Sequence, residues 1–276
     1  MEEKVEEKVL ILPDIHGRKF WKTALNRYPK EKYPNLRIVF LGDYLDPYTG
    51  YEDIMQDEAY ENFKEIIECA KNDRRIILLM GNHDWHYIVP IDTCRIDRHR
   101  FKDIQKLIAD NISLFSITYD TTINGKRYIF SHAGITSGWL NSICEIARSD
   151  IESWNSENID EKYEWAYKLS ILKDTYNFEI LDDILKHYDD QYYARILSMI
   201  SYDRGGYHLY GSVIWADVHE HIYKAPIQNI YQIFGHTISF PNNDQYAYSI
   251  NDNWAMLDAS QAFVLYDDGK IEKMKS

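Results

Sequence analysis

Four short apolar runs in this chain each stop abruptly at a small polar cluster built from Gly, Asp, Asn or His. Val9–Leu12 runs into Asp14-Ile-His16-Gly17, Leu36–Leu41 into Gly42-Asp43-x-x-Asp46, and Arg75–Met80 into Gly81-Asn82-His83-Asp84. Ile230–Phe234 runs into Gly235-His236-Thr237. Short runs of this kind read as buried strands. Between the first three lie stretches with helical spacing, from about Lys19 to Arg27 and over Ile54–Lys71, where Ala59, Phe63, Ile66, Ile67 and Ala70 share a face; Asp97–Asp110 follows. Strand–helix alternation predicts an α/β fold, and open α/β sheets place their sites beyond the carboxyl ends of their strands.

The rest of the pattern extends this framework. Leu114–Ile123, Asn124-Gly125 and Lys126–Ser131 predict a β-hairpin, because both turn positions favour positive φ. The second arm ends at a fifth cluster, Ser131-His132-Ala133-Gly134. Trp254–Leu257, Ala262–Tyr266 and Lys270–Met274 complete the predicted strands, the last two joined by a turn at Asp268-Gly269. From about 137 to 202 the chain is rich in Trp, Tyr, Leu, Ile and acidic residues, has one glycine and has no proline. That stretch reads as a helical insertion or cap, within one domain spanning 1–276, and Gly205-Gly206 marks the return to β structure.

Composition narrows the function. The 276 residues are 45% apolar and 27% charged, and the formal net charge is −13. An acidic chain is a poor general binder of a phosphate backbone, but bound cations reverse the field locally, so small phosphorylated substrates stay open. The N-terminal M-E-E-K-V-E-E-K lacks the pattern of a secretory signal, and no run of about 18 apolar residues exists to span a membrane. Cys69, Cys94 and Cys144 are far apart and form no C-x-x-C. A cytoplasmic protein without disulfides or a thiolate zinc site is therefore expected.

The clusters offer carboxylate, imidazole and amide oxygen without thiolate, a set suited to Mn, Fe or Zn. A carboxylate such as Asp43 can bridge two ions, and two ions roughly 3.5–4 Å apart hold a hydroxide between them and clamp a phosphoryl group for in-line attack.

In order and type, D-x-H-G, G-D-x-x-D, G-N-H-D, S-H-A-G and G-H-T resemble the calcineurin-like metallophosphoesterase superfamily, over most of the chain outside the helical stretch. The nearest likeness is to the branch of Ser/Thr protein phosphatases and diadenosine tetraphosphatase-like enzymes, which ends in G-H-T. Where other branches carry a further histidine, this chain has Ile238. The resemblance implies two packed sheets flanked by helices. It implies two divalent or mixed-valence metal ions, one held by Asp14, His16 and Asp43 and the other by Asp43, Asn82, His132 and His236. It further implies His83 as the acid that protonates the leaving oxygen, Asp46 as its partner, and Asp84 as support for the ligands.

One departure stands out. The phosphatase branch reads G-D-x-x-D-R-G, and its arginine grips phosphate; here Pro47 takes that place and has no donor to offer. Arg18 and Arg204 are the candidates for the missing contact. His86, His99, His187, His208, His219 and His221 lie outside every motif and read as surface or hydrogen-bonded histidines. The aromatic residues of the helical stretch, among them Trp139, Trp154, Tyr163, Trp165 and Tyr167, read as helix packing. Trp215 resembles a tryptophan near the phosphatase site, and Asp258 reads as structural.

The expected reaction is hydrolysis of a phosphomonoester, with a small molecule, nucleotide or phosphoprotein as substrate. The alternatives are hydrolysis of a dinucleotide polyphosphate or phosphodiester, and a non-catalytic protein that keeps the metals as staples.

Overall fold

The computed structural model describes residues 6–48, 53–89, 91, 95–154, 161–223, 227, 229–237 and 249–274. Ile238, Cys94 and the first five residues lie outside that set. In chain order the first half contains β1 (Glu7–Leu12), α1 (Phe20–Arg27), β2 (Arg37–Phe40), α2 (Gln56–Asn72), β3 (Ile76–Leu79), α3 (Asn82–Ile88), α4 (Phe101–Asp110), β4 (Phe115–Ser116), β5 (Thr118–Ile123) and β6 (Lys126–Ser131). Helices then dominate: α5 (Ser137–Ser153), α6 (Glu161–Ser170), α7 (Leu172–Thr175), α8 (Glu179–Lys186), α9 (Gln191–Leu197) and α10 (Val218–Tyr223). The chain closes with β7 (Ile230–Phe234), β8 (Ser249–Ile250), β9 (Trp254–Met256), β10 (Phe263–Tyr266) and β11 (Ile271–Lys273).

Two mixed sheets result. One has the order β11-β10-β1-β2-β3-β4 and the other β5-β6-β7-β9-β8. The neighbours β1, β2, β3 and β4 run parallel, as do β6, β7 and β9. The parallel centre of each sheet sends its strand ends, and the polar clusters behind them, toward one edge.

Side-chain alternation explains how the sheets pack. Val9 and Ile11 of β1, Val39 of β2 and Leu79 of β3 share a buried cluster with Phe130 of β6, Ile233 of β7 and Ala255 of β9. Leu10, Leu12, Ile38, Phe40 and Leu78 point the other way, into a core shared with Ala24, Phe63, Ile66 and Ile67 of the helices. Strands buried on both faces read as continuous apolar runs, which is why they stood out in the sequence.

The predicted hairpin is split. Thr118–Ile123 pairs antiparallel with Lys126–Ser131 through Asn124 (φ 48°) and Gly125 (φ 79°), as expected. Phe115 and Ser116, however, pair with Leu78 and Leu79 in the other sheet. The uniform composition of the first arm makes it look like one strand, but Ile117 is where the chain passes from one sheet to the next. Asp182 of α8 holds that crossing, accepting the Ile117 N–H at 2.6 Å. A second link joins the Trp85 indole N–H to Ser198 Oγ at 3.1 Å, beside α9. Trp139 and Trp165 are buried, whereas Tyr167 is exposed.

Candidate metal centre

The loops after β1, β2 and β3 are zipped together by their backbones. His16 N–H donates to the Asp43 carbonyl at 2.7 Å and Gly17 N–H to the Tyr44 carbonyl at 3.0 Å. Asp84 accepts Asp43 N–H at 2.8 Å, Gly81 N–H at 2.9 Å and Tyr44 N–H at 3.0 Å. Asp14 accepts His236 N–H through both oxygens, at 3.1 and 3.0 Å, which ties β1 to the loop after β7. His16, Asp43, Asp46 and His236 all have positive φ, between 43° and 68°. Non-glycine residues in that region are strained, and such strain gathers at functional sites.

Glycine is required at two of these turns. A Cβ at Gly81 would lie 2.2 Å from Asp43 Oδ1, and one at Gly235 would lie 2.0 Å from Asp14 Oδ1. The glycines that open G-N-H-D and G-H-T thus make room for the two carboxylates.

The six ligand candidates from the motifs converge. His132 Nε2 lies 2.9 Å from Asn82 Oδ1, 3.1 Å from His236 Nδ1 and 3.5 Å from Asp43 Oδ1. On the other side of Asp43, Oδ2 lies 3.5 Å from His16 Nε2. Asp14, His16 and Asp43 form one group that can hold an ion, and Asp43, His132 and His236 form another. Asp43 belongs to both.

The histidine tautomers decide what this arrangement can do. His16 Nδ1–H donates to the Leu45 carbonyl at 2.8 Å and His132 Nδ1–H donates to the Leu41 carbonyl at 2.8 Å. Each Nε2 then faces Asp43, at 3.5 Å. Burial, reinforced by the nearby cations Arg18 and Arg95 and by His83, lowers His16 to about 3, against the pull of Asp43. Burial also lowers His236 well below the usual imidazole range. Ligand-type nitrogen and oxygen atoms of His132, His16, Asn82 and Asp43 therefore face one another across a buried space. His236 Nε2 is buried and has no hydrogen-bond partner among the described residues. Imidazole, amide and carboxylate atoms gathered within ligand distance of one another, one buried imidazole nitrogen among them unpartnered, fit a divalent metal.

Carboxylates show the same tension. Burial, with Asp43 nearby, raises Asp14 to about 6, and burial beside Asp14 raises Asp258 well above the usual range. Asp258 was read as structural, yet its Oδ2 is buried without a hydrogen-bond partner among the described residues.

Beside this centre, His83 Nδ1 lies 2.8 Å from Asp46 Oδ2. Two neighbours absent from the sequence-based site hold the same carboxylate. His86 Nε2 lies 2.8 Å from Asp46 Oδ2, and Tyr87 OH donates to Oδ1 at 2.5 Å. Burial alone would raise Asp46, but bonds from His83 and His86 outweigh it and hold the carboxyl at about 2. Of the two readings given for the remaining histidines, His86 and His221 are the buried, partnered kind: His221 donates to the Ala133 carbonyl at 3.0 Å and stacks on Phe234. Position i+3 after His83 on a short helix was the only available signal for His86.

The arginines near the site differ in their partners. Arg204 Nε pairs with Asp217 at 2.9 Å, and its guanidinium donates to Thr237 Oγ1 and, at 3.4 Å, to the His236 carbonyl. Arg18 is buried and donates to the Asp14 carbonyl at 3.2 Å. Arg95, not singled out in the sequence, reaches His83 Nε2 at 2.9 Å. Trp215 lies edge-on to His236, with ring centroids 6.2 Å apart.

Comparison with known proteins agrees with this geometry. Residues 7–240 match the model of the calcineurin-like phosphoesterase family, and the chain belongs to that family. Its mixed α/β architecture, two sheets flanked by helices, is the metallophosphoesterase fold. Among curated proteins there is no significant match. Among solved structures, a cold-active protein-tyrosine phosphatase of a psychrophilic Shewanella species is 15% identical, covering 98% of this chain and 80% of its own, with a TM-score of 0.42. A Saccharomyces cerevisiae protein serine/threonine phosphatase with similarity to human PP5 is 14% identical, covering 100% and 82%, with a TM-score of 0.38. Phosphopantetheinyl hydrolase from Mycobacterium tuberculosis is 11% identical, covering 91% and 88%, with a TM-score of 0.33. The family assignment rests on the matched residues, not on these low scores.

Proposed function

We propose that the protein hydrolyses a phosphomonoester at a dinuclear metal centre. The observation that carries this reading is the convergence of Asp14, His16, Asn82, His132 and His236 around Asp43, directly beside the His83–Asp46 pair. Asp14, His16 and Asp43 would hold one divalent ion; Asp43, Asn82, His132 and His236 would hold the second, with Mn, Fe or Zn suited to these donors. Metal bound there supplies charge neutralisation on the phosphoryl oxygens and a nucleophile drawn from water at neutral pH. Asp46, fixed by His86 and Tyr87, orients the His83 imidazole through Nδ1 so that Nε2 faces the leaving oxygen. A structural staple has no need of such a pair, which favours catalysis over a binding role. On the same reading, the helices between 137 and 202 are an insertion in a single domain.

A second reading, hydrolysis of a dinucleotide polyphosphate, draws support from one feature. Tyr202 and Tyr207 flank Arg204 in the sequence and are exposed, and the Arg204 guanidinium reaches the His236 carbonyl. Exposed aromatic rings are the kind of surface on which a base can stack.

Metal analysis and turnover of the parent, Asp43→Asn and His83→Ala proteins test the proposal. About two metals per chain are expected in the parent, and His83→Ala should keep its metal but turn over about 10²–10⁴-fold more slowly. A metal-free parent, or unchanged turnover in His83→Ala, would overturn it. Rates on p-nitrophenyl phosphate, its bis-ester and a dinucleotide polyphosphate separate the two substrate classes.

A further inference from the structure

Pro47 stands where the resemblance implies a phosphate-gripping arginine, and the structure brings a different guanidinium against the residues on either side of it. Arg95 lies between α3 and α4, 49 residues from the loop it serves. Its Nη1 donates to the Asp46 carbonyl at 2.9 Å, the residue just before Pro47. Its guanidinium carbon sits 3.9 Å from the centroid of the Tyr48 ring, the residue just after. Tyr48 in turn lies edge-on to His16, with centroids 4.8 Å apart. Arg95 is thereby laid across the Asp46-Pro47-Tyr48 segment.

Two features mark this cation as one kept for an anion. Among the described residues no carboxylate lies within ion-pair distance of Arg95, whereas Arg204 is paired with Asp217. The second is its resting partner: Nη2 lies 2.9 Å from His83 Nε2, the nitrogen that must face the leaving oxygen. An arginine so placed obstructs His83 until something better attracts it, and a phosphoryl group offers two oxygens in the geometry that a guanidinium fork matches.

We infer that Arg95 is the phosphate-gripping residue of this site, resting on His83 Nε2 in the free protein and passing to two phosphoryl oxygens when substrate enters. This deepens the phosphoesterase reading and rests on it. Tyr48 keeps the guanidinium plane in position during the exchange through the face of its ring.

The test uses the full-length, metal-loaded protein and inorganic phosphate as the probe. Binding of phosphate by calorimetry, KM for p-nitrophenyl phosphate and metal content are measured for the parent, Arg95→Ala, Arg95→Lys and the exposed control Arg98→Ala. Losing two charge-assisted bonds is expected to weaken phosphate binding and raise KM roughly 10–100-fold in Arg95→Ala. Metal content should not change, Arg95→Lys should recover part of the loss, and added guanidinium ion should partly rescue Arg95→Ala. Arg95→Ala binding phosphate as tightly as a functional parent, with metal retained, overturns the role of Arg95 alone. A parent that neither binds phosphate nor turns over overturns the phosphoesterase reading, and this inference with it.

Discussion

Asp84 accepts the backbone N–H of Asp43 at 2.8 Å, and Asp43 in turn accepts the N–H of His83, next to Asp84, at 2.9 Å. The loop after β2 and the loop after β3 are therefore locked by reciprocal bonds between a carboxylate of each and the backbone of the other. Asp84→Ala would leave three buried N–H groups, those of Asp43, Tyr44 and Gly81, without their acceptor. At about 1–3 kcal/mol for each orphaned group, partly relieved by water, a loss of about 3–5 kcal/mol in stability is expected. Metal content should fall as well, because Asp43 would no longer be held. Denaturant titration and elemental analysis check both; an Asp84→Ala protein equal to the parent in each would refute the locking role.

Tyr87 gives a test of how Asp46 acts. Its hydroxyl donates to Asp46 and accepts the Asp97 N–H at 2.8 Å. Tyr87→Phe keeps the ring and removes both bonds, so about 1–3 kcal/mol of stability should be lost. If Asp46 works by orienting His83, turnover of an alkyl phosphate should fall by about tenfold or more, and of p-nitrophenyl phosphate much less, because a good leaving group needs little protonation. Equal losses on the two substrates would show that Asp46 serves some other purpose.

Gly235→Ala is expected to damage the centre while sparing the fold. The added Cβ would sit 2.0 Å from Asp14 Oδ1, forcing the carboxylate out of place. Metal content per chain and turnover should both drop. Gly125→Ala is the comparison: its φ is +79° but nothing lies within 4 Å of the new Cβ. That variant should lose about 1 kcal/mol from backbone strain and keep its metal. Similar metal content in the two variants would contradict the steric account of Gly235.

Asp182 makes stability depend on pH. Burial raises its carboxyl from 3.8 to about 6, despite N–H donors from Ile117 and Thr118. An acid with a raised folded-state value favours the folded protein below pH 4, and that contribution is lost as pH rises through 6. Asp182→Asn removes the buried charge and keeps an acceptor for Ile117. Relative to the parent it should gain about 3 kcal/mol at pH 7.5 and little at pH 4. Denaturant titrations with chelator at both pH values hold metal occupancy constant; a pH-independent difference would exclude Asp182 as the source.

Much of the framework was legible because its signals are local. Ile230–Phe234 forms a strand over the same five residues the apolar run marked, and Asn124-Gly125 makes the predicted turn. Ala59, Phe63, Ile66 and Ile67 face the core at helical spacing. The hairpin's first arm misled for the opposite reason: nothing in Leu114–Ile123 says that Phe115 bonds Leu78 while Thr118 bonds Ser131. Strand choice there depends on partners that come from distant parts of the chain.

The candidate site divides in the same way. From sequence alone came the donor types, the glycines beside them and their position at strand ends, because turn chemistry and side-chain chemistry are properties of a few adjacent residues. Only the tertiary structure decided that Leu45 and Leu41 set the tautomers of His16 and His132, that His86 and Tyr87 share Asp46, and that Arg95 rather than Arg18 or Arg204 lies on His83. Those contacts join loops brought together by sheet packing, 49 residues apart in the case of Arg95 and Asp46. Hydrogen bonds depend on distance in space, and local periodicity carries no information about it.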